Sequence, residues 1–280
     1  MRWGWALIAL AAALAGCQPR IDEASLLRPI PGGALPTAML AQAAPAYAMS
    51  EHMIPAPDGA RLSAVLLRQP GAWATILYFG GNGYTIERFG AMTARQFAAL
   101  GVDLMIVDHR GYGRSEGVPT QANVENDGLA AFDYLTGALG EAPARVIVHG
   151  QSLGSFIAGR VAAERPAGGL VLESSATTTE DWVDANLGGV TRLVVRPRIA
   201  DSLRGRGNLA NMPRIEEPLM ILVGERDRTT PPRLSQALFA ASPLPEGRKR
   251  IAVIAGADHN NVMAQPQSIE AYRSFLATIP

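Results

Sequence analysis

The stretch that most constrains the fold is a strand–turn–helix pattern from Arg145 to Arg165, which reads RVIVHGQSLGSFIAGRVAAER. A β-branched run, VIV, predicts a buried strand, and the Ala-rich segment after the turn carries apolar residues at helical spacing. Between them lies a Gly-x-Ser-x-Gly pentapeptide centred on Ser152. Such a pentapeptide also arises by chance, but this context predicts a nucleophile elbow, a strained turn that projects the serine Oγ from the end of the strand. Gly150 and Gly154 are expected there because strand and helix approach too closely for a Cβ atom.

Strand-like and helix-like segments alternate along most of the chain after residue 50. Short, continuously apolar strands separated by helices are typical of a parallel sheet that is covered on both faces. We therefore expect an α/β fold with a mostly parallel central sheet, and ligands outside the carboxyl ends of its strands. The predicted strands are about 52–55, 61–68, 75–79, 102–107, 146–148, 170–172, 219–223 and 251–254, and the predicted helices are about 38–44, 86–100, 125–139 and 268–276.

A serine hydroxyl needs a base, and the base needs a carboxylate that fixes its tautomer. The chain has four histidines. His259 is the candidate base because it lies in the loop after the last predicted strand. His52, His109 and His149 are expected to be structural. The candidate acid is Asp227, in the loop after the preceding strand and before a helix opened by a Pro-Pro pair.

Two other carboxylates compete with this acid. Asp258 is adjacent to His259 but is expected to point away from it, and Glu173 ends the strand after the elbow. Each of these residues, taken alone, is most simply a surface charge in a loop. However, Ser152, Asp227 and His259 follow strands of one predicted sheet and occur in the order Ser, Asp, His, which predicts a catalytic triad.

A developing oxyanion requires two positioned N–H donors. One is expected to be the backbone N–H of Leu153, the residue after the nucleophile. The other is expected from the loop Gly80–Gly83 (GGNG), where glycines let the backbone approach a substrate closely. The alternative is that this loop is a plain glycine turn.

Together with the elbow, three segments resemble the α/β-hydrolase superfamily: DHRGYGRS at 108–115, GERD at 224–227 and ADH at 257–259. The resemblance covers about residues 50–280 and is greatest to small-lid members of the serine-aminopeptidase-like and depalmitoylase-like branch. It implies that the DHRGYGRS loop is structural and that the second oxyanion donor is the backbone N–H of Asn82. Many relatives have His-Gly where this chain has Gly80-Gly81, which puts the rigidity of the oxyanion loop in question.

An insertion of about residues 174–217 separates two predicted strands and occupies the position of a lid. Its apolar residues suit either an acyl-binding wall or packing of the lid onto the core: Trp182, Leu187, Val190, Leu193, Val194 and Val195. It also carries Arg192, Arg196, Arg198, Arg204 and Arg206. Such a run is usually a solvated face, and the alternative is that it orients the lid toward anionic lipid headgroups.

The amino terminus resembles a bacterial lipoprotein signal. Residues 1–16 combine a cationic start with a short apolar run, and Leu14-Ala15-Gly16-Cys17 resembles a lipobox. We expect cleavage before Cys17, lipidation of this cysteine, and a Pro- and Ala-rich tether over 17–50 before the domain at 51–280. An ordinary secretory signal is the alternative. Since Gln18 is not the aspartate of inner-membrane retention, the resemblance favours an outer-membrane anchor that faces the periplasm.

These observations predict a lipid-anchored serine hydrolase that cleaves a carboxylic ester or thioester through an acyl-enzyme. A peptidase or amidase of the same fold is the alternative within the enzymes, and a non-catalytic envelope scaffold is the alternative outside them. The expected chemistry needs no metal and no organic cofactor. A formal net charge of zero gives no footprint for nucleic acid, and nothing in the sequence requires a protein partner.

Overall fold

The computed structural model describes residues 19–187 and 197–279 of the chain. The predicted signal segment, Cys17 and Gln18 therefore lie outside the described residues. The strands in chain order are β1 (Arg20–Ile21), β2 (Ala48–Pro55), β3 (Arg61–Arg68), β4 (Thr75–Phe79), β5 (Asp103–Val107), β6 (Val146–Gln151), β7 (Gly169–Glu173), β8 (Arg198–Ile199), β9 (Leu219–Gly224) and β10 (Lys249–Ile254).

Eight of these strands form one sheet in the order β10-β9-β7-β6-β4-β5-β3-β2. Only β3 runs antiparallel to its neighbours, and the remaining pairs are parallel. The register aligns the carboxyl ends of the central strands, since Phe79 of β4 lies opposite Val107 of β5 and Gly150 of β6. The loops that follow these strands therefore meet at one edge of the sheet.

Helices cover both faces of this sheet. They are α1 (Glu23–Leu26), α2 (Thr37–Ala43), α3 (Ile86–Ala98), α4 (Gln121–Asp133), α5 (Leu153–Ala162), α6 (Thr179–Asn186), α7 (Pro232–Ala241) and α8 (Pro266–Leu276). Because side chains alternate along a strand, β4 sends Ile76 and Tyr78 to a core under α2, α3 and α8, and Leu77 and Phe79 to a core under α4, α5 and α7. Both faces of the sheet are therefore buried under helices, which explains why the strands are continuously apolar.

The predicted fold class is confirmed, and most predicted elements occur within a few residues of their expected bounds. The largest difference is the helix predicted at 125–139. It begins earlier, at Gln121, because Thr120 accepts from the Asn123 N–H while the Asn123 side chain accepts from the Thr120 N–H. It ends at Asp133 and continues as a π-helical turn.

The described part of the predicted tether, residues 19–50, is not a free linker. β1 pairs in parallel with β8 of the lid segment, and Leu27 and Leu40 are buried. Residues 48–50 already belong to β2 in the main sheet. The expectation of a flexible segment is thus corrected for these residues: their scattered apolar side chains and backbone groups find partners on the domain, despite the absence of a helical or strand period.

The lid segment contains α6, β8 and short 3₁₀ turns, and residues 188–196, which include Arg192 and Arg196, lie outside the described residues. Of the lid arginines that are described, Arg206 pairs with the buried Glu125 at 3.0 Å and Arg204 pairs with the exposed Asp201 at 3.4 Å. Within residues 19–187 and 197–279, no helix combines the length and the apolar character that crossing a bilayer requires.

Candidate active site

Ser152 occupies the turn between β6 and α5, and its backbone is strained, with φ 52° and ψ −114°. The two glycines of the pentapeptide permit this geometry. A Cβ on Gly150 would overlap the carbonyl of Gly154, and a Cβ on Gly154 would overlap the carbonyl of Phe79. The Ser152 N–H donates to the Glu173 carbonyl oxygen at 2.9 Å, which ties the turn to β7.

The structure brings the three predicted triad residues together. His259 Nε2 lies 2.9 Å from Ser152 Oγ, and His259 Nδ1 lies 2.8 Å from Asp227 Oδ2. The neutral tautomer that fits both contacts carries its proton on Nδ1, donates to the carboxylate and leaves Nε2 to accept from the serine hydroxyl. Ser152 follows β6, Asp227 follows β9 and His259 follows β10. The three residues therefore lie at the carboxyl ends of three strands of one sheet.

The carboxylate of Asp227 is buried and well supplied with donors. Its Oδ1 accepts from the N–H groups of Thr229 and Thr230 at 2.9 and 2.8 Å, and Thr230 Oγ1 donates to Oδ2 at 2.8 Å. Burial raises the pKa of Asp227, but the hydrogen bonds from His259 and Thr230 outweigh it and hold that pKa below its usual range. The acid therefore stays ionised and able to stabilise a charged imidazole.

The competing residues have other partners. Asp258 is exposed and accepts from the Asn260 N–H. The Glu173 carboxylate lies 3.0 Å from Nε2 of the fully buried His149, whose Nδ1 lies 3.2 Å from the hydroxyl of Tyr272. These residues form a separate buried network, so neither carboxylate contacts His259.

Both residues that carry the candidate oxyanion donors, Asn82 and Leu153, line the cleft beside Ser152. Leu153 is the first residue of α5, so its N–H has no acceptor within the helix. Among the described residues, the N–H of Asn82 donates to no protein acceptor. Asn82 and Leu153 line the same cleft as Ser152 and His259. Two N–H groups without an acceptor among the described residues thus belong to residues of the cleft wall.

The loop 108–115 supports the oxyanion loop from behind. His109 is buried, which lowers its pKa, and its Nε2 lies 2.7 Å from the Gly80 carbonyl oxygen. The ring of Tyr84 packs where a Cβ at Gly80 would lie. Tyr84 thus fills the place next to the backbone that a larger residue at position 80 would need. Gly80 is therefore held by a neighbouring ring and by a hydrogen bond from a buried histidine.

The cleft around Ser152 has a volume of about 380 Å³, which is within the range of small-molecule sites. Its apolar wall consists of Leu26, Leu153, Phe156, Ala176 and Trp182. Among the described lining residues, Arg28 alone carries a permanent formal charge, and none is a carboxylate. No group of three or more potential metal ligands occurs in the described ranges, 19–187 and 197–279.

The sequence did not identify Thr230 or the wall residues Ser25, Leu26 and Arg28 as parts of the site. Thr230 was detectable in principle, since a hydroxyl residue three positions after an aspartate often closes a hydrogen-bonded turn. No local signal marks the wall residues, because they reach the cleft only through contacts more than 50 positions apart, such as that between Leu26 and Asn82.

Comparison with known proteins gives consistent matches. The family model described as serine aminopeptidase, S33, matches residues 71–205. An uncharacterised protein of Mycobacterium tuberculosis is 30% identical over 210 residues, which cover 74% of this chain and 70% of that protein. Protein bem46 of Schizosaccharomyces pombe is 24% identical over 227 residues, covering 79% and 74%. An esterase of Pyrococcus furiosus superposes with a TM-score of 0.70 at 17% identity, covering 90% of this chain and 98% of that chain, and shares the fold.

Proposed function

The chain belongs to the α/β-hydrolase superfamily, and on that premise we propose that it is a serine hydrolase that cleaves carboxylic esters or thioesters through an acyl-enzyme on Ser152. The observation that carries this proposal is the unbroken hydrogen-bond chain from Ser152 through His259 to Asp227, which opens into a cleft with an apolar wall. A hydroxyl in this arrangement has both a base to remove its proton and a carboxylate to stabilise the resulting cation.

The reaction proceeds in two halves. Ser152 Oγ attacks the substrate carbonyl carbon while His259 Nε2 takes the serine proton, and the developing oxyanion accepts from the N–H groups of Leu153 and Asn82. His259 then gives the proton to the departing alcohol or thiol, which leaves the acyl group on Ser152. In the second half, His259 removes a proton from water, the resulting hydroxide attacks the acyl-enzyme, and the carboxylic acid leaves as Ser152 recovers its proton.

The second candidate, an aminopeptidase, is favoured by the description of the matching family. Such an enzyme must hold the protonated amino terminus of a peptide, and a buried ammonium needs a carboxylate partner. The described cleft residues include no Asp or Glu and do include Arg28, which repels an ammonium. An acyl substrate without a free amino group fits this lining better.

The anchoring part of the proposal concerns Cys17. Lipidation at this residue would place the acyl anchor close to the lid segment, because only Gln18 separates Cys17 from Pro19, a span of at most about 7 Å. The Pro19 carbonyl oxygen accepts from the Arg198 N–H of the lid segment at 2.9 Å. We therefore favour a lipid-like acyl substrate and a location at the envelope, with the outer membrane and the periplasmic side preferred.

The test is activity-based labelling together with a substrate screen. A fluorophosphonate should label the wild type and not Ser152→Ala, and Ser152→Ala should lose several orders of magnitude in kcat. p-Nitrophenyl esters of increasing acyl length should be hydrolysed, whereas aminoacyl p-nitroanilides should not. Preference for the anilides would support the aminopeptidase instead. A wild type that neither reacts with the probe nor hydrolyses either series would favour a scaffold.

A further inference from the structure

The amino-terminal strap, defined as residues 19–32, crosses the mouth of the candidate active site. At one end, β1 pairs with β8 of the lid segment. In the middle, Ser25, Leu26 and Arg28 line the cleft. At the other end, the Gly32 N–H donates to the Gly113 carbonyl oxygen at 2.7 Å, and the Gly113 N–H donates back to the Ile30 carbonyl oxygen at 2.8 Å. The strap is thus held at both ends, and its middle forms part of the cleft wall.

The middle of the strap is joined to the oxyanion loop by one side chain, Asn82. Its Nδ2 donates to the Leu26 carbonyl oxygen at 2.6 Å. Its Oδ1 accepts from the Arg28 N–H at 2.9 Å and from the Tyr112 hydroxyl at 2.8 Å. The Arg28 N–H is shared with the Tyr112 hydroxyl oxygen, also at 2.9 Å. Three chain segments far apart in sequence therefore converge on one amide.

The chemistry of the partners fixes which way this amide points. The Leu26 carbonyl is an acceptor only, so it must face the NH₂ group, and the Arg28 N–H is a donor only, so it must face the oxygen. A rotation of the amide by 180° would oppose donor to donor and acceptor to acceptor. The Asn82 side chain therefore has a single satisfied orientation, set mainly by the strap backbone.

The oxyanion loop needs this external restraint. Asn82 has a glycine on each side, and Gly83 has φ 82°, a conformation that favours glycine. Glycines leave the backbone many alternatives. One turn hydrogen bond, from the Tyr84 N–H to the Gly81 carbonyl oxygen at 3.0 Å, restrains the loop from within, and further restraint must come from contacts outside it. The side-chain bonds to Leu26, Arg28 and Tyr112 supply those contacts on a residue that lines the cleft and whose N–H donates to no acceptor among the described residues.

We propose that Asn82 is a positioning residue whose side chain, gripped by strap residues 26–28 and by Tyr112, orients its own backbone N–H toward the oxyanion. The strap is then a working part of the catalytic apparatus as well as a wall of the cleft. This inference rests on the proposed function, because an oxyanion forms only if Ser152 attacks a carbonyl group.

The positioning role and a plain wall role differ in kinetics. An oriented oxyanion donor stabilises the transition state more than the ground state, so loosening it lowers kcat and leaves KM nearly constant. Loss of a wall weakens substrate binding in both states and raises KM instead. The affinity for a trifluoromethyl ketone, which mimics the tetrahedral oxyanion, should fall together with kcat/KM only in the first case.

The first variant is Asn82→Ala in the full chain, assayed with a p-nitrophenyl ester that the wild type hydrolyses. We expect kcat to fall about 10- to 100-fold with KM changed less than about twofold, since loss of a whole oxyanion donor costs about 100- to 1,000-fold. The matched control is Asn211→Ala, because Asn211 makes no side-chain hydrogen bond with the described residues and lies outside the cleft. Its kcat should equal that of the wild type.

Three further variants, of which Arg28→Ala is a control, keep the test decisive if Asn82→Ala fails to fold. Tyr112→Phe removes one donor to Asn82 Oδ1 and keeps the buried ring, and kcat should fall about threefold to tenfold. Arg28→Pro and Arg28→Ala both lose the guanidinium, but only the proline removes the N–H. Leu27 has φ −86° and ψ 132°, which a residue before proline tolerates. The kcat of Arg28→Pro should therefore be several-fold below that of Arg28→Ala.

The outcomes separate this inference from the proposed function. If the wild type hydrolyses esters and reacts with a fluorophosphonate, but Asn82→Ala and Tyr112→Phe keep the wild-type kcat or change only KM, the positioning role is refuted and the hydrolase remains. If the wild type neither reacts nor hydrolyses esters, the function itself is refuted. Equal kcat values for Arg28→Pro and Arg28→Ala would show that the hydrogen bond from the Arg28 N–H to Asn82 does not contribute to catalysis. Parallel losses of kcat and ketone affinity would support the proposal.

Discussion

The substitution Asp227→Asn separates the catalytic role of the candidate acid from its contribution to the stability of the fold. The new amide oxygen can keep the two backbone N–H bonds that Oδ1 accepts from Thr229 and Thr230 at 2.9 and 2.8 Å. Its NH₂ group then occupies the place of Oδ2, where it faces His259 Nδ1 at 2.8 Å. Thr230 Oγ1 can accept from this NH₂ group while it donates to the Ser174 carbonyl oxygen at 2.9 Å. No buried group loses all its partners, so the fold should persist.

The effect on catalysis is large because the tautomer of His259 is reversed. An NH₂ group opposite Nδ1 requires Nδ1 to accept, so the imidazole proton moves to Nε2 and points at Ser152 Oγ. A protonated Nε2 cannot remove the serine proton. Loss of the correct tautomer lowers kcat about 10,000-fold in a serine protease, and at about 1.36 kcal/mol per tenfold change this corresponds to about 5.4 kcal/mol. We expect a loss of about 1,000- to 10,000-fold here.

The assay is kcat on a soluble p-nitrophenyl ester, with the midpoint of thermal unfolding measured in parallel. Asp258→Asn is the matched control, because it makes the same chemical change next to His259 on an exposed carboxylate. It should keep most of the wild-type activity. A folded Asp227→Asn that retains more than about a tenth of wild-type kcat would refute the tautomer argument. If Glu173→Gln is folded but inactive while Asp227→Asn is active, the catalytic acid is Glu173 on β7, and its assignment to Asp227 is wrong.

Three further predictions concern stability and anchoring. Burial raises the pKa of Asp108 to about 7 from the model-peptide value of 3.8, so the free energy of unfolding should fall as pH rises from about 4 to 7, and Asp108→Asn should flatten that fall in urea titrations. Arg206→Gln deprives the buried Glu125 of its ion pair and should lower the free energy of unfolding by about 1 to 3 kcal/mol at pH 7, whereas Arg204→Gln, which removes a solvent-exposed pair, should change it by less than about 0.5 kcal/mol. Cys17→Ser should move the protein from the membrane to the soluble fraction and abolish fatty-acid labelling; membrane association without labelled lipid would favour an uncleaved segment.

The sequence predicts the sheet and the triad geometry because both are written in local patterns. Strands buried on two faces must be continuously apolar, so their ends are visible, and parallel strands bring those ends to one edge. That rule, the Gly-x-Ser-x-Gly pentapeptide and the chain order Ser, Asp, His together located Ser152, Asp227 and His259. The elbow adds a local requirement for glycine at two positions that any larger residue would obstruct.

The strap escaped prediction because its order comes from distant partners. Residues 19–32 show no helical or strand period, and β1 is a two-residue strand whose partner is in the lid segment. Asn82 was identified for its backbone N–H through a resemblance, but its side chain forms hydrogen bonds with residues more than 50 positions earlier in the chain. Such contacts are specified by hydrogen-bond complementarity in three dimensions and leave no periodic mark in the chain.

The Gly-Gly start of the candidate oxyanion loop offers little restraint of its own, and other segments supply it. A histidine at position 80 would bring its own side chain to the loop, whereas glycine brings none. Here the Tyr84 ring packs directly on Gly80, and His109 contacts the Gly80 carbonyl oxygen. Asn82 then restrains the far half of the loop from the strap side. On the proposed role of Asn82, the orientation of the oxyanion loop depends on docking of the strap as well as on Tyr84 and His109, which would couple residues 19–32 to the chemistry proposed at Ser152.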